Sequence, residues 1–209
     1  MSVKNPSSSR LVGSVVVAAL LSGVMLSGVF TITEPLIRAN QAEATRKAIF
    51  EVLPGTASFR TLAIEDGRIV VFDDAQGQTP DQPLYMGLTE QGSVSGYAIP
   101  GEGTGFGGRL AVLFGYQPAE HKVVGLAVLE SLETPGLGDK IEKDEAFVNS
   151  FLDLLVQPEI ICAKQREKAN EVDSISGATI SSKAVVRILN QRLASLPDHF
   201  PQALKERQE

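Results

Sequence analysis

The sequence predicts an α+β protein: one N-terminal transmembrane helix followed by a single domain with a central antiparallel sheet flanked by helices. Three observations predict it. Residues 11–33 carry no charge. Strand-like apolar runs cluster between residues 59 and 129. Segments with helical apolar spacing lie on either side of that cluster. The chain has 209 residues, enough for one ordinary domain plus an anchor and too few for two full domains.

The uncharged run is LVGSVVVAALLSGVMLSGVFTIT. At ~1.5 Å rise per residue it is long enough to cross the ~30 Å hydrocarbon core as a helix. A cleaved signal peptide has a shorter apolar core and a small-residue cleavage site. Phe30-Thr31-Ile32-Thr33 is not such a site, so an uncleaved anchor is expected. The expected organisation is a tail at 1–10, a transmembrane helix at 11–33 and one domain at 34–209. Ala19, Gly23 and Ser27 lie four apart on one helical face. They either admit a second helix closely or reflect the small residues common in membrane helices. Lys4 and Arg10 precede the run, and Arg38, Arg46 and Lys47 follow it closely. The positive-inside rule does not choose between these flanks.

Residues 35–53 read as a helix, with Leu36, Ala39 and Ala42 spaced at three and Ile49 and Leu53 at four; Pro54-Gly55 stops it. Residues 59–64 and 69–72 read as a hairpin around Asp66-Gly67, and 73–83 as a polar loop. Strands are expected at 95–99, 110–116 and 123–129, with a polar turn at 117–122. A helix is expected at 140–156, turning Ala146, Phe147, Phe151, Leu154 and Leu155 inward. A second is expected at 180–196, carrying Ala184, Ile188, Leu189, Leu193 and Leu196. A short tail helix is expected after Pro201.

Composition excludes several functions. The formal net charge is -6, and no basic cluster offsets it, so the chain has no electrostatic reason to bind nucleic acid. The only cysteine is Cys162, and the two histidines are His121 and His199. One cysteine makes no disulfide and no iron–sulfur site, and no metal site is expected. Cys162 reads as a buried core thiol. Redox chemistry on this chain therefore needs an organic cofactor.

Three segments are candidate sites. Gly103-Thr-Gly-Phe-Gly-Gly108 matches the GxGxxG string, but a strand-like run follows it where a dinucleotide site needs a helix. These glycines permit a tight turn or a close approach to a flat ligand. Glu133-Thr-Pro-Gly-Leu-Gly138 reads by itself as a turn, with Gly136 supplying positive φ. Asp173-Ser-Ile-Ser-Gly-Ala-Thr179 precedes the last long helix. It reads equally as a helix entry capped by Ser181 or Ser182, or as an anion site. In the second case Gly177 lets the backbone approach and Lys183 adds positive charge.

The last two segments resemble motifs of the covalent FMN-binding domain family, which includes the G subunit of Rnf electron-transport complexes. Asp173-x-x-Ser176-Gly177-Ala178-Thr179 is similar to that family's D-x-x-[S/T]-G-A-T signature, and Glu133 to Gly138 is similar to its flavin-side loop. The likeness extends over the anchor and most of the rest of the chain. It implies FMN joined through its phosphate to the Thr179 hydroxyl by a separate flavin transferase. It implies that Asp173, Ser176, Gly177 and Ala178 form the attachment loop beside Lys183. It also implies that Glu133, Thr134, Gly136 and Leu137 line the isoalloxazine ring. No catalytic residue is implied: Thr179 is modified, and the chain carries electrons.

The resemblance further implies a single-pass protein of the bacterial inner membrane, with a cytoplasmic N-terminus and a periplasmic FMN domain. Its partners would be the other membrane, iron–sulfur and flavin subunits of a complex that couples ferredoxin and NAD oxidation–reduction to ion pumping. The alternatives are the related C subunit of a sodium-translocating NADH:quinone reductase and a membrane-anchored binding domain without flavin. A hydrolase finds no Ser-His-Asp, paired-carboxylate or metal-ligand arrangement in the sequence.

Overall fold

The computed structural model describes residues 8–65, 68–72, 80, 82–197 and 200. The expected turn at Asp66-Gly67, most of the polar loop at 73–83 and the tail helix after Pro201 lie outside these residues, as do Lys4 and His199. One compact unit ends at Ala44 and a second begins at Thr45.

Helix α1 (Ser8–Val52) is a single run of 45 residues with Pro35 inside it. The sequence suggested two successive helices, at 11–33 and 35–53. The backbone joins them, because proline removes only its own N–H from the helical ladder. Just before Pro35, the Thr31 and Thr33 hydroxyls donate to the carbonyls of Ser27 and Val29, both at 2.9 Å. In the first unit Leu20, Val24, Leu26 and Ile32 are all exposed. Helix α1 is long and apolar enough to cross a membrane.

The second unit is built on a seven-stranded sheet. Its strands are β1 (Ser58–Glu65), β2 (Arg68–Val71), β3 (Leu84–Leu88), β4 (Val94–Thr104), β5 (Arg109–Gln117), β6 (Lys122–Ser131) and β7 (Leu154–Leu155). They lie in the order β2-β1-β3-β4-β5-β6-β7, and every neighbouring pair is antiparallel. Two further strands, β8 (Ile161–Ala163) and β9 (Glu171–Asp173), form a separate parallel pair. Helices α2 (Lys140–Lys143), α3 (Glu145–Asn149) and α4 (Thr179–Ala194) complete the unit.

Strand alternation puts a core on each face of the sheet. On β5, Leu110, Val112, Phe114 and Tyr116 join Val185, Ile188 and Leu189 of α4 in the larger core. Leu113 points the other way, with Ala98, and meets Ala48, Ile49 and Val52 at the end of α1. The helices sit close because the strands are bare beneath them. A Cβ on Gly101 or Gly103 would lie 2.8 Å from Ile188, and one on Gly115 would collide with the Val52 carbonyl oxygen.

Three expectations are corrected. Strand β3 was not expected; its five residues follow Pro80 and Pro83 and show no clean alternation. The helix expected at 140–156 is instead two short helices and a strand. Asp144 divides it, because its carboxylate accepts the N–H groups of Ala146 and Phe147 at 3.0 and 3.2 Å and starts α3 afresh. Phe147, Phe151 and Leu154 are buried as expected, whereas Ala146 is exposed. Strands β8 and β9 are too short to announce themselves by alternation. Helix α4 matches its expectation closely.

Burial on the α4 face leaves a pH signature. It pushes the Tyr97 phenol from its ordinary 10.0 up to about 12, and raises Tyr116 as well. The Tyr97 contribution to stability is fully present below pH 10.0 and is lost as pH rises towards about 12, where the folded phenol ionises. Tyr97→Phe is expected to reduce this alkaline loss. Denaturant midpoints compared on the two sides of that window check it.

Candidate functional site

Thr179 opens α4 and is exposed. Among the described residues its hydroxyl makes one long contact, 3.4 Å, to the Ile175 carbonyl. The N-cap residue of α4 is Ala178, which supplies no side-chain cap and leaves first-turn N–H groups free to meet an anion. The expected cap by Ser181 or Ser182 is therefore corrected. Ser182 lies inside the helix, fully buried, and fastens the loop: its hydroxyl accepts the Ile175 N–H at 3.1 Å and donates to the Ala178 carbonyl at 3.0 Å. Gly177 has φ +83°, a left-handed conformation that L side chains resist. Ser176 is exposed and Ala178 is buried.

Asp173 lies further back, at the end of β9. Its carboxylate accepts the backbone N–H of Arg166, so it braces the 164–170 loop. Lys183 is exposed one turn into α4. Its charge is felt at the half-buried Cys162, whose thiol is pushed up chiefly by burial, with Lys183 opposing. A groove of about 510 Å³ runs beside the attachment loop, lined by Lys140, Lys143, Phe147, Asp173 and Ser176 among others.

The 133–138 segment forms the expected turn. Thr134 O accepts the N–H groups of Leu137 at 3.1 Å and Gly138 at 3.0 Å, and Gly136 has φ +79°. Thr134, Pro135 and Leu137 are exposed. Beyond the turn, Asp139 bonds Lys143 at 2.6 Å, which holds its carboxyl below the usual range. The turn and the attachment loop meet: a Cβ on Gly177 would lie 3.9 Å from Leu137 Cδ2. The two motifs singled out in the sequence, about forty residues apart in the chain (~130 Å if extended), are thus neighbours in space.

Glu133 behaves differently from its neighbours. It is 7% exposed. One carboxylate oxygen accepts the Phe106 N–H at 2.7 Å, and the other accepts the Gly107 N–H at 3.0 Å. The glycine-rich turn between β4 and β5 is thereby brought to the site. Arg187 of α4 also reaches it, donating to the Thr104 carbonyl. The sequence alone drew attention to the glycines of that turn but named none of its residues for the site, and so missed Phe106, which is 68% exposed. Leu132 and Ile180, also exposed, were missed too. A large apolar residue set among glycines in a turn was the available signal.

The chain is similar to known proteins over most of its length. The profile of the family described as "FMN-binding domain" matches residues 105–194, from the glycine-rich turn to the end of α4. The G subunit of the ion-translocating oxidoreductase complex of Methanosarcina acetivorans is 31% identical over 182 residues, covering 87% of this chain and 90% of the relative. The G subunit of the Na(+)-translocating ferredoxin:NAD(+) oxidoreductase complex of Acetobacterium woodii is 30% identical, covering 78% of each chain. Among solved structures, the C subunit of the Na(+)-translocating NADH-quinone reductase of Parabacteroides distasonis superposes with a TM-score of 0.56 at 22% identity. The superposition covers 75% of this chain and 92% of that one, and at that identity it shows a shared fold.

Proposed function

This chain belongs to the family of G subunits of ion-translocating oxidoreductase complexes, and from that premise we propose that it is the membrane-anchored electron-carrying member of such a complex, holding FMN covalently on Thr179. The observation that carries the reading is that the loop leading to the exposed Thr179, at an uncapped helix start, meets the 133–138 turn where Gly177 approaches Leu137.

The residues present fit the cofactor. Thr179 Oγ1 is accessible and lacks a strong hydrogen bond. Free N–H groups at the start of α4 suit a phosphate ester, and Lys183 adds positive charge nearby. Gly177 keeps the approach to Thr179 open, while Ser176 and Ala178 complete the loop. Leu137 offers an apolar face to a flat ring, and the exposed Thr134 hydroxyl offers it a hydrogen bond. Asp173 holds the base of the loop through Arg166. FMN, when bound, supplies reversible one- and two-electron chemistry, and the protein positions it and tunes its potential.

A threonine hydroxyl is a weak nucleophile without a base, and the Thr179 hydroxyl contacts only a carbonyl. A separate flavin transferase accordingly makes the ester. The 11–33 segment of α1 serves as the membrane span, with the N-terminus cytoplasmic and the domain that follows periplasmic in a bacterial inner membrane. Electrons come from and go to other subunits, so that ferredoxin and NAD oxidation–reduction is linked to ion movement.

Isolation of the complex from native membranes through a tag on this chain tests the assignment. Iron–sulfur and flavin subunits should co-purify with NAD-dependent ferredoxin oxidation–reduction. Recovery with an NADH:quinone reductase activity in its place overturns the choice of complex.

A further inference from the structure

Glu133 is buried beside the site, yet among the described residues it forms no ion pair. Both its oxygens are spent on backbone N–H groups of the 105–108 turn. The packing around them is tight. A Cβ on Gly105 would collide with one carboxylate oxygen, and a Cβ on Gly138 would lie 2.6 Å from the other. A Cβ on Gly107 would collide with the Leu132 carbonyl oxygen. The turn is therefore pressed against the start of the 133–138 loop, with the carboxylate enclosed between the two.

Such a turn has little stiffness of its own. Three of its four residues are glycine, and its one internal backbone bond runs from the Gly105 N–H to the Gly108 carbonyl at 2.8 Å. Glycine-rich backbone is costly to order. Two hydrogen bonds to an ionisable acceptor are strong enough to hold it. The fourth residue, Phe106, makes no use of its ring in either core. It stands exposed on the turn; Leu132, which a Cβ on Gly108 would meet at 3.1 Å, and Leu137 in the loop that Glu133 begins are exposed as well. Exposed apolar groups gathered beside a site mark a surface that something covers, and an aromatic side chain suits a flat aromatic ligand.

We propose that Glu133 is a positioning residue: it clamps the 105–108 turn to the 133–138 loop and thereby holds Phe106 against the flavin ring. The proposal rests on the covalent-FMN reading. It gives Glu133 a role exercised through the turn, with no contact between its carboxylate and the ring. Glu133→Gln turns an amide NH₂ towards the Gly107 N–H or the Phe106 N–H, so one of the two bonds is lost.

The test uses the full chain in detergent, co-expressed with a flavin transferase. Covalent flavin is measured by fluorescence on a denaturing gel, and visible circular dichroism is recorded per bound flavin. The expected result is loss of most of the dichroism in both Glu133→Gln and Phe106→Ala, with no further loss in the double variant. Wild-type dichroism in either single variant overturns the proposal, and so does a double variant in which the two losses compound. If Glu133→Gln does not fold, Phe106→Ala decides, since its side chain is mostly exposed. A dark wild-type band defeats the flavin reading itself, and is seen before any variant is compared.

Discussion

Thr179→Val is expected to remove all covalent flavin from the chain while leaving the fold intact. The substitution keeps the side chain's shape and β-branching and replaces only the hydroxyl with a methyl group. That oxygen makes one long contact, 3.4 Å, to Ile175, so its loss costs little: on the order of 0.5 kcal/mol for a weak exposed bond. Function is affected without such compensation, because no other hydroxyl takes its place. Ser176 is exposed but lies before Gly177 and outside α4, and Ser181 and Ser182 are buried within it. On a denaturing gel under ultraviolet light, the wild-type chain made with a flavin transferase should fluoresce and the variant should be dark. Residual fluorescence in the variant would place the ester on a different residue.

The second large effect is on stability. Phe114 lies on β5, the strand between β4 and β6, and is fully buried in the core beneath α4. Phe114→Ala removes most of a ring from a closely packed interior and is expected to cost about 3–5 kcal/mol. That is a large part of the ~5–15 kcal/mol that typically holds a domain together. Phe106→Ala, in the turn that leads into the same strand, is expected to change stability by less than about 0.5 kcal/mol, because its ring is exposed. Denaturant unfolding of the two variants should separate them clearly. Similar losses would mean that the Phe106 ring is packed in the core, contrary to its place in the structure.

Much of the sheet was legible because β4, β5 and β6 carry dense apolar runs, and a polar turn separates β5 from β6. Helix α4 was legible from the spacing of Ala184, Ile188, Leu189 and Leu193. The two motifs were legible as local chemistry: Gly136 was expected to supply positive φ and does, and Gly177, expected only to let the backbone approach, has positive φ as well. Their meeting was implied only by the resemblance and not by the residues themselves, since it depends on how α4 docks on the sheet through Ile188, Gly101 and Gly103. The break at Asp144 was hidden because the apolar spacing runs on through it. The engagement of Glu133 was hidden as well. The resemblance implied a place for Glu133 at the flavin ring and gave no sign of its partners, backbone amides about twenty-six residues away (~86 Å of extended chain), which no side-chain pattern announces.

The most direct measurement is tandem mass spectrometry of the peptide containing Thr179, from the full chain isolated from its native membranes. The account predicts a mass increase of one FMN less one water, with the fragment series locating the increase on Thr179. An unmodified peptide from a complex active in electron transfer, or an increase located on Ser174 or Ser176, would contradict it.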